Sequence, residues 1–479
     1  MFNFSSFFKK AKEEKKTRDK FFDEFPYKIR PWEHQINAMA KANLSKGFAY
    51  FMEQGTGKTK TVLDESQILN HKRMITRVVI ACPKSLLMTW KNEIEMHCNN
   101  YKTEVWKDKK IYGEGNLIYS VINIDAIKTE KGFKWLQDRV HSKTLFIVDE
   151  SQAIKNIKAK RTGAILMLAR KAGYKRILTG TPMTKNPLDL FSQMIFLDRQ
   201  FWNNKGFYSF RNKFARLGGY GGKQVVGFKN LAMLSNMVDP HSFRVTKDEC
   251  LDLPPKLYST RYLYLTSKQQ SQYNELGKQL GEYWISEKTK VAYNNTMVII
   301  GKMHQLVGGN LDDMQYDCNK IEECVNILSE GSGKTLIWCK YIKEIERLKM
   351  TLEDNGYKVG TYHGSVSAKK REENKEEFNH GDMDVLILQY SCGGVGLTLN
   401  SASTVIFYSN GYVYADRIQA EDRCHRGGQT KSVHYIDLVS LHTDGNSTID
   451  STILNTLQNK KSLAEEVMNN LGDSSWMNF

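Results

Sequence analysis

The sequence predicts an α/β protein built from two doubly wound parallel sheets with helical insertions. Two observations carry that reading. Short apolar runs rich in β-branched residues alternate with charged stretches of helical length, and the alternation occurs twice. The chain has 479 residues, and a single hydrophobic core rarely grows past roughly 250–300.

The first set of runs is Phe48–Met52, Arg77–Cys82, Thr144–Val148 and Arg176–Leu178. The second is Thr335–Cys339, Tyr357–Thr361, Val385–Leu388, Thr404–Tyr408 and Val433–Val439. Residues 188–300 break the rhythm. They are rich in aromatics, Asn, Gln and Lys, and hold the glycine-rich Leu217–Lys223 and a stiff point at Pro254–Pro255. The expected organisation is a basic, aromatic extension (1–24), a first lobe (25–187), helical insertions and the inter-lobe connection (188–300), a second lobe (301–463) and a tail (464–479).

Composition narrows the partners. Lys and Arg number 69 against 53 Asp and Glu, a net charge of +16, which favours a polyanion, nucleic acid being the commonest. The eight cysteines form no C-x-x-C pair, so free thiols in a reducing cytoplasm and no structural zinc are expected. No apolar run reaches the roughly 18 residues of a membrane span. Met1–Lys20 lacks an apolar stretch and a small-residue cleavage site, unlike a secretory signal. Phe4, Phe8 and Ala11 fall on one face of a helix docking on the body.

Three motifs carry the chemistry. After the first strand, Gly55-Thr56-Gly57-Lys58-Thr59 opens a helix. Glycines let a phosphate approach the backbone, free N–H groups at the helix start meet its charge, Lys58 reaches the β/γ-phosphates and the Thr59 hydroxyl suits Mg2+. A similar Gly331-Ser332-Gly333-Lys334-Thr335 precedes a strand instead, so it reads as a turn. The strand Leu145–Val148 ends in Asp149 and Glu150. Ligands bind at such strand ends; Asp149 suits the metal and Glu150 the attacking water. Far downstream, Arg423 and Arg426 are three residues apart and on a helix would project to one side, able to reach a phosphate across a domain cleft.

With Ile177-Leu178-Thr179-Gly180-Thr181-Pro182 between them, these motifs resemble, in kind and order, the Swi/Snf-related DNA translocases of helicase superfamily two. The resemblance runs from about Tyr27 to Leu463. It implies two RecA-like lobes that use ATP and Mg2+. Ile29–Gln35 resembles the family's adenine-reading element, with Gln35 as the base contact, and the likeness places Gly55, Thr56, Gly57, Lys58, Thr59, Gly396 and Gln419 at the nucleotide. Thr59 and Asp149 would hold the metal; Lys58, Asp149, Glu150, Arg423 and Arg426 would be catalytic, the two arginines as fingers. Lys84 and Ser85, then His363, Gly364 and Arg371, then Ser391, Gly393 and Gly394 match elements that lie on DNA. Phe243–Lys247 with Leu253–Lys256 resembles the inter-lobe element, and Thr448-Ile449-Asp450 the closing element.

The sequence also departs from the family. The usual Asp-Glu-Ala-His reads Asp149-Glu150-Ser151-Gln152, and the stretch before the motif V glycines lacks its common arginine. Leu397-Thr398-Leu399 and Gln419-Ala420-Glu421-Asp422 are closer to the fork-remodelling and strand-annealing branch, of compact bacterial or phage type. The expected function is ATP-dependent translocation on double-stranded or branched DNA, in DNA or protein–DNA remodelling during replication, recombination or repair. Other replication or recombination proteins are expected partners, in the cytoplasm of a bacterial cell or infected host. Rival readings are a strand-separating or RNA helicase, and a DNA-binding module with an inactive ATP site.

Overall fold

The computed structural model describes residues 21–183, 186–222, 224–250, 252–286, 290–312, 314–331, 333–393, 397–426 and 429–469. The chain forms two compact units, one running to Asp252 and the other spanning Leu253–Lys461. The boundary falls inside the segment expected to hold the connection. Among the described residues, no helix is long and apolar enough to cross a membrane.

The first unit contains, in chain order, β1 (Gly47–Met52), β2 (Arg77–Cys82), β3 (Tyr101–Val105), β4 (Ile111–Tyr112), β5 (Leu117–Asn123), β6 (Thr144–Asp149), β7 (Tyr174–Leu178), the hairpin β8 (Ala215–Gly218) and β9 (Gln224–Phe228), and β10 (Ser242–Val245). Its main sheet runs β10-β1-β7-β6-β2-β5-β3-β4. Every pairing is parallel except β3 with β4. Central strands such as β1, β2 and β6 are buried almost throughout, as helices on both faces of a parallel sheet require. Register aligns the strand ends: Leu178 lies between Tyr50 and Asp149, and Met52 beside Val245. The loops that leave these strands therefore share one edge.

A buried ion pair fixes the helix Lys58–His71 to that sheet. Arg176 Nη2 and Nε donate to Glu65 at 2.5 and 2.9 Å, and Tyr50 Oη donates to the same carboxylate at 2.9 Å. Both charged side chains are fully buried. Arg176→Met is expected to lower stability by about 3–5 kcal/mol, because Glu65 keeps a buried charge without its partner. A denaturation midpoint unchanged in that variant would contradict this.

The second unit contains β11 (Lys256–Tyr264), the two-residue strands β12 (Asn310–Leu311) and β13 (Met314–Gln315), β14 (Lys334–Cys339), β15 (Val359–Tyr362), β16 (Val385–Gln389), β17 (Ala402–Phe407) and β18 (Val433–Leu441). The sheet order is β11-β18-β17-β14-β16-β15, all parallel. Alternation along β14 separates two cores: Ile337 and Cys339 enter one, Leu336 and Trp338 the other.

The region expected to be helical insertions holds helices such as Leu190–Leu197, Leu231–Val238 and Ser267–Ser286, and also strands that the sequence reading did not expect. It supplies β10 to one sheet and β11 to the other, besides the β8–β9 hairpin. Four-residue β10 is too short to show a period, and β11 is an edge strand whose tyrosines remain exposed. Neither gives the continuous apolar run of a central strand. The second glycine-lysine sequence enters β14, with Lys334 Nζ donating to the carbonyls of Phe378 and Gly381 at 2.6 Å. Ser332 and the residues before Phe21 lie outside the described residues.

Candidate active site

The phosphate-type loop follows β1. Gly55 and Gly57 take φ of 88° and 83°, a region costly for any residue with a Cβ. Gly57 caps the helix Lys58–His71, whose first turn carries no acidic residue to offset the positive end of the helix dipole. Lys58 Nζ donates to the carbonyls of Met52 (2.8 Å) and Glu53 (3.0 Å), which keeps the ammonium within the curve of the loop. Thr59 is half-buried in the first turn. Gln35 lies directly on the loop: a Cβ on Gly57 would come within 2.0 Å of its Nε2. Gln35 is buried, donates to Thr56 O at 3.3 Å and accepts from Trp32 N at 2.9 Å. His34 reaches the same carbonyl at 2.8 Å.

Asp149 and Glu150 end β6 on the same edge. Asp149 is buried; its Oδ1 accepts the Glu150 N–H at 2.9 Å and its Oδ2 the Trp90 indole N–H at 2.9 Å. Burial, and then the neighbouring Glu150 charge, push the Asp149 carboxyl up to about 7, against the pull of Trp90 and Lys58. The Asp149 carboxylate and the Thr59 hydroxyl are hard oxygen donors of the kind Mg2+ takes. The Trp90 bond is a contact that sequence motifs do not announce.

Trp90→Phe removes one influence that lowers the Asp149 pKa, so the carboxyl stays protonated to higher pH. The acid limb of ATP hydrolysis is expected to move toward alkaline pH, with the alkaline limb unchanged. A pH profile at saturating ATP measures it, and a limb that does not move would remove Trp90 from the site.

Glu150 adopts a left-handed φ of 49°, a strained conformation of the kind that gathers at functional sites. Its Oε2 accepts from Gln152 Nε2 at 2.7 Å, while Gln152 Oε1 accepts from Thr179 Oγ1 at 2.8 Å. Thr179 Oγ1 in turn accepts the Thr181 N–H at 3.0 Å. An amide offers a donor and an acceptor at once, so Gln152 spans the two loops without changing its charge. Gly180 closes the set: a Cβ there would sit 3.3 Å from Gln54 N, Glu53 Cα and Met52 O. Lys84 and Ser85, in a short 3-10 turn after β2, are exposed.

In the second unit, the arginine pair is not helical. The helix Tyr414–Glu421 ends with Asp422 as its cap, and both arginines follow it. The backbone there shortens to turns such as Arg423 N to Ala420 O at 3.3 Å. The two side chains still converge, both donating to Leu397 O at 3.0 and 3.1 Å. Arg423 is buried and also donates to the carbonyl of Gln419, itself buried, at 3.0 Å. Arg426 is half-buried and donates to Thr398 Oγ1 at 3.0 Å.

The other expected contacts of this unit follow β15 and β16. Gly364 is exposed, but His363 is buried, with Nδ1 lacking a hydrogen-bond partner among the described residues and burial holding its pKa below the usual range. Arg371 packs over the Tyr362 ring at 5.4 Å. Ser391 and Gly393 belong to the turn Tyr390–Gly393, and a Cβ on Gly364 would lie 3.7 Å from Cys392 Sγ, so these loops are neighbours. Gly394 and Gly396 lie outside the described residues.

A profile described as the SNF2-related domain matches residues 35–320, and one described as the helicase conserved C-terminal domain matches 319–428. An uncharacterized ATP-dependent helicase of Mycoplasma pneumoniae is 27% identical over 82% of this chain and 38% of its own length. YwqA of Bacillus subtilis, named as an ATP-dependent helicase/translocase, is 25% identical over 88% of this chain and 47% of its own. The chain thus spans less than half the length of these relatives. A solved SWI2/SNF2 ATPase core of Sulfolobus solfataricus in complex with dsDNA aligns at 24% identity over 93% of this chain and 94% of that one, with a TM-score of 0.43. Since the first profile takes in more than half of the sequence, this chain belongs to the SNF2-related family of ATPases in helicase superfamily two.

Proposed function

We propose that the chain is an ATP-driven motor that moves along double-stranded DNA and uses the motion to remodel DNA or protein–DNA complexes. The observation that carries this reading is the gathering of the glycine loop, the acid pair and the Thr179 turn on one sheet edge, joined through Gln152. Gly55–Thr59 cradle the phosphates and Gln35 with Trp32 flanks the base. Thr59 and Asp149 hold Mg2+, which supplies charge neutralisation at the phosphates. Glu150 orients the attacking water and takes its proton. The Gln152–Thr179 link ties the state of Glu150 to the Thr179–Pro182 turn. The charge of +16 and the exposed Lys84 and Ser85 support a polyanionic track.

The reading is tested by ATP hydrolysis with duplex DNA, single-stranded DNA or RNA, alongside displacement of a third strand from a triplex. Duplex DNA is expected to stimulate most, with third-strand displacement and weak separation of an ordinary duplex. Stronger stimulation by RNA or single strands would favour a strand-separating or RNA helicase. An absence of hydrolysis under every condition would favour a DNA-binding module.

A further inference from the structure

The motifs account for the loops at the sheet edge but leave one basic module unused. Between Arg199 and Asn230 the sequence carries seven lysines and arginines and no carboxylate, seven of the chain's excess of 16 positive charges. Arg211 and Lys213 stand on the helix Phe207–Phe214, Arg216 on β8 of the β8–β9 hairpin, and Lys229 directly after it, while Lys223 lies outside the described residues. Lys213, Arg216 and Lys229 are exposed and, among the described residues, in no ion pair. They cluster at the hairpin base, where Lys229 N donates to Phe214 O at 2.9 Å and Asn230 Nδ2 to Lys213 O at 2.8 Å.

The module is built to hold its place. Phe210 and Phe214 are buried with ring centroids 4.9 Å apart, and Trp202 packs on Phe210 at 4.5 Å. The hairpin tip turns through Gly219, Gly221 and Gly222, all at positive φ, while Val225 and Val226 stay exposed. The module also touches the segment that follows the acid pair, since Lys158 and Arg211 both lie over the Tyr208 ring, at 5.9 and 5.2 Å. A merely solubilising surface mixes both signs of charge, whereas this one is of a single sign on a rigid mount.

We infer that this hairpin module is a second DNA contact, outside the helicase motifs, that grips the phosphodiester backbone of the duplex. The inference rests on the proposed function. Lys213, Arg216 and Lys229 neutralise phosphates and release counterions, so they govern affinity and its salt dependence without reading sequence.

The test is the full-length triple variant Lys213→Gln/Arg216→Gln/Lys229→Gln, with duplex DNA binding measured without nucleotide across a salt series. Three lost phosphate contacts should flatten the slope of log K against log salt by up to about 2.7 and weaken binding roughly ten-fold or more near 0.1 M salt. Hydrolysis without DNA and the thermal midpoint should stay at wild-type values. Lys213→Arg/Lys229→Arg should bind as wild type does. Wild-type affinity and slope in the triple variant would overturn the inference while leaving the motor reading intact. A wild-type chain that fails to bind duplex DNA at low salt would overturn both.

Discussion

Glu150→Gln is expected to bind ATP as the wild type does and to hydrolyse it about 10²–10⁴-fold more slowly, the range for losing a positioned general base. The substitution keeps the shape of the loop, because the new side chain retains an oxygen for Gln152 Nε2, now 2.7 Å from the carboxylate. What it loses is the basic lone pair that takes the proton from water. It also removes the charge that helps push Asp149 up, so metal-dependent nucleotide binding should not weaken. Asp149→Asn should do the reverse, losing Mg2+-dependent binding first. Nucleotide affinity and single-turnover hydrolysis, measured for both variants, separate the roles. Lost ATP binding in Glu150→Gln, or near wild-type hydrolysis, would show that the two carboxylates have been assigned the wrong way round.

What the sequence revealed follows from how local each signal is. The strands at Phe48–Met52, Arg77–Cys82 and Val385–Leu388 were legible as continuous apolar runs because both of their faces are buried. The glycine loop was legible because its chemistry lies within five residues. β5 at Leu117–Asn123 is as buried as these, yet its Tyr and Ser blur the run. The edge strands β10 and β11 bury one face or less. Contacts joining distant residues left no local trace: the Trp90 N–H on Asp149 exists only once β2 and β6 are side by side, and Arg176 on Glu65 only once β1 and β7 are. Gln152 was legible as a departure from the family. That it serves as a two-sided bridge depends on Thr179 standing opposite. For Arg423 and Arg426, a spacing of three suggested one helix face, but the helix ends at Glu421 and the Leu397 carbonyl gathers the two side chains instead.

That arrangement separates the arginines, which the motif alone treats as equivalent. Arg426→Ala is expected to slow hydrolysis by about 10³–10⁵-fold, the effect of an arginine that meets transition-state charge, with ATP affinity and the thermal midpoint little changed. Its half-exposed guanidinium can exchange Leu397 O and Thr398 Oγ1 for a phosphate oxygen. Arg423 has a different environment: it is buried and spans Gln419 O and Leu397 O. Arg423→Ala leaves the Gln419 carbonyl without this donor in a dry setting, at about 1–3 kcal/mol for an unsatisfied group, while Leu397 O keeps Arg426. It should therefore lower the thermal midpoint of the second unit as well as activity. Arg423→Lys, which replaces the fork by one ammonium, should recover part of the stability and little of the rate. Melting curves, ATP affinity and single-turnover rates for the three variants decide the matter. A stable Arg423→Ala protein with the same rate defect as Arg426→Ala would make both residues fingers. Full hydrolysis in Arg426→Ala would remove this arginine from the reaction.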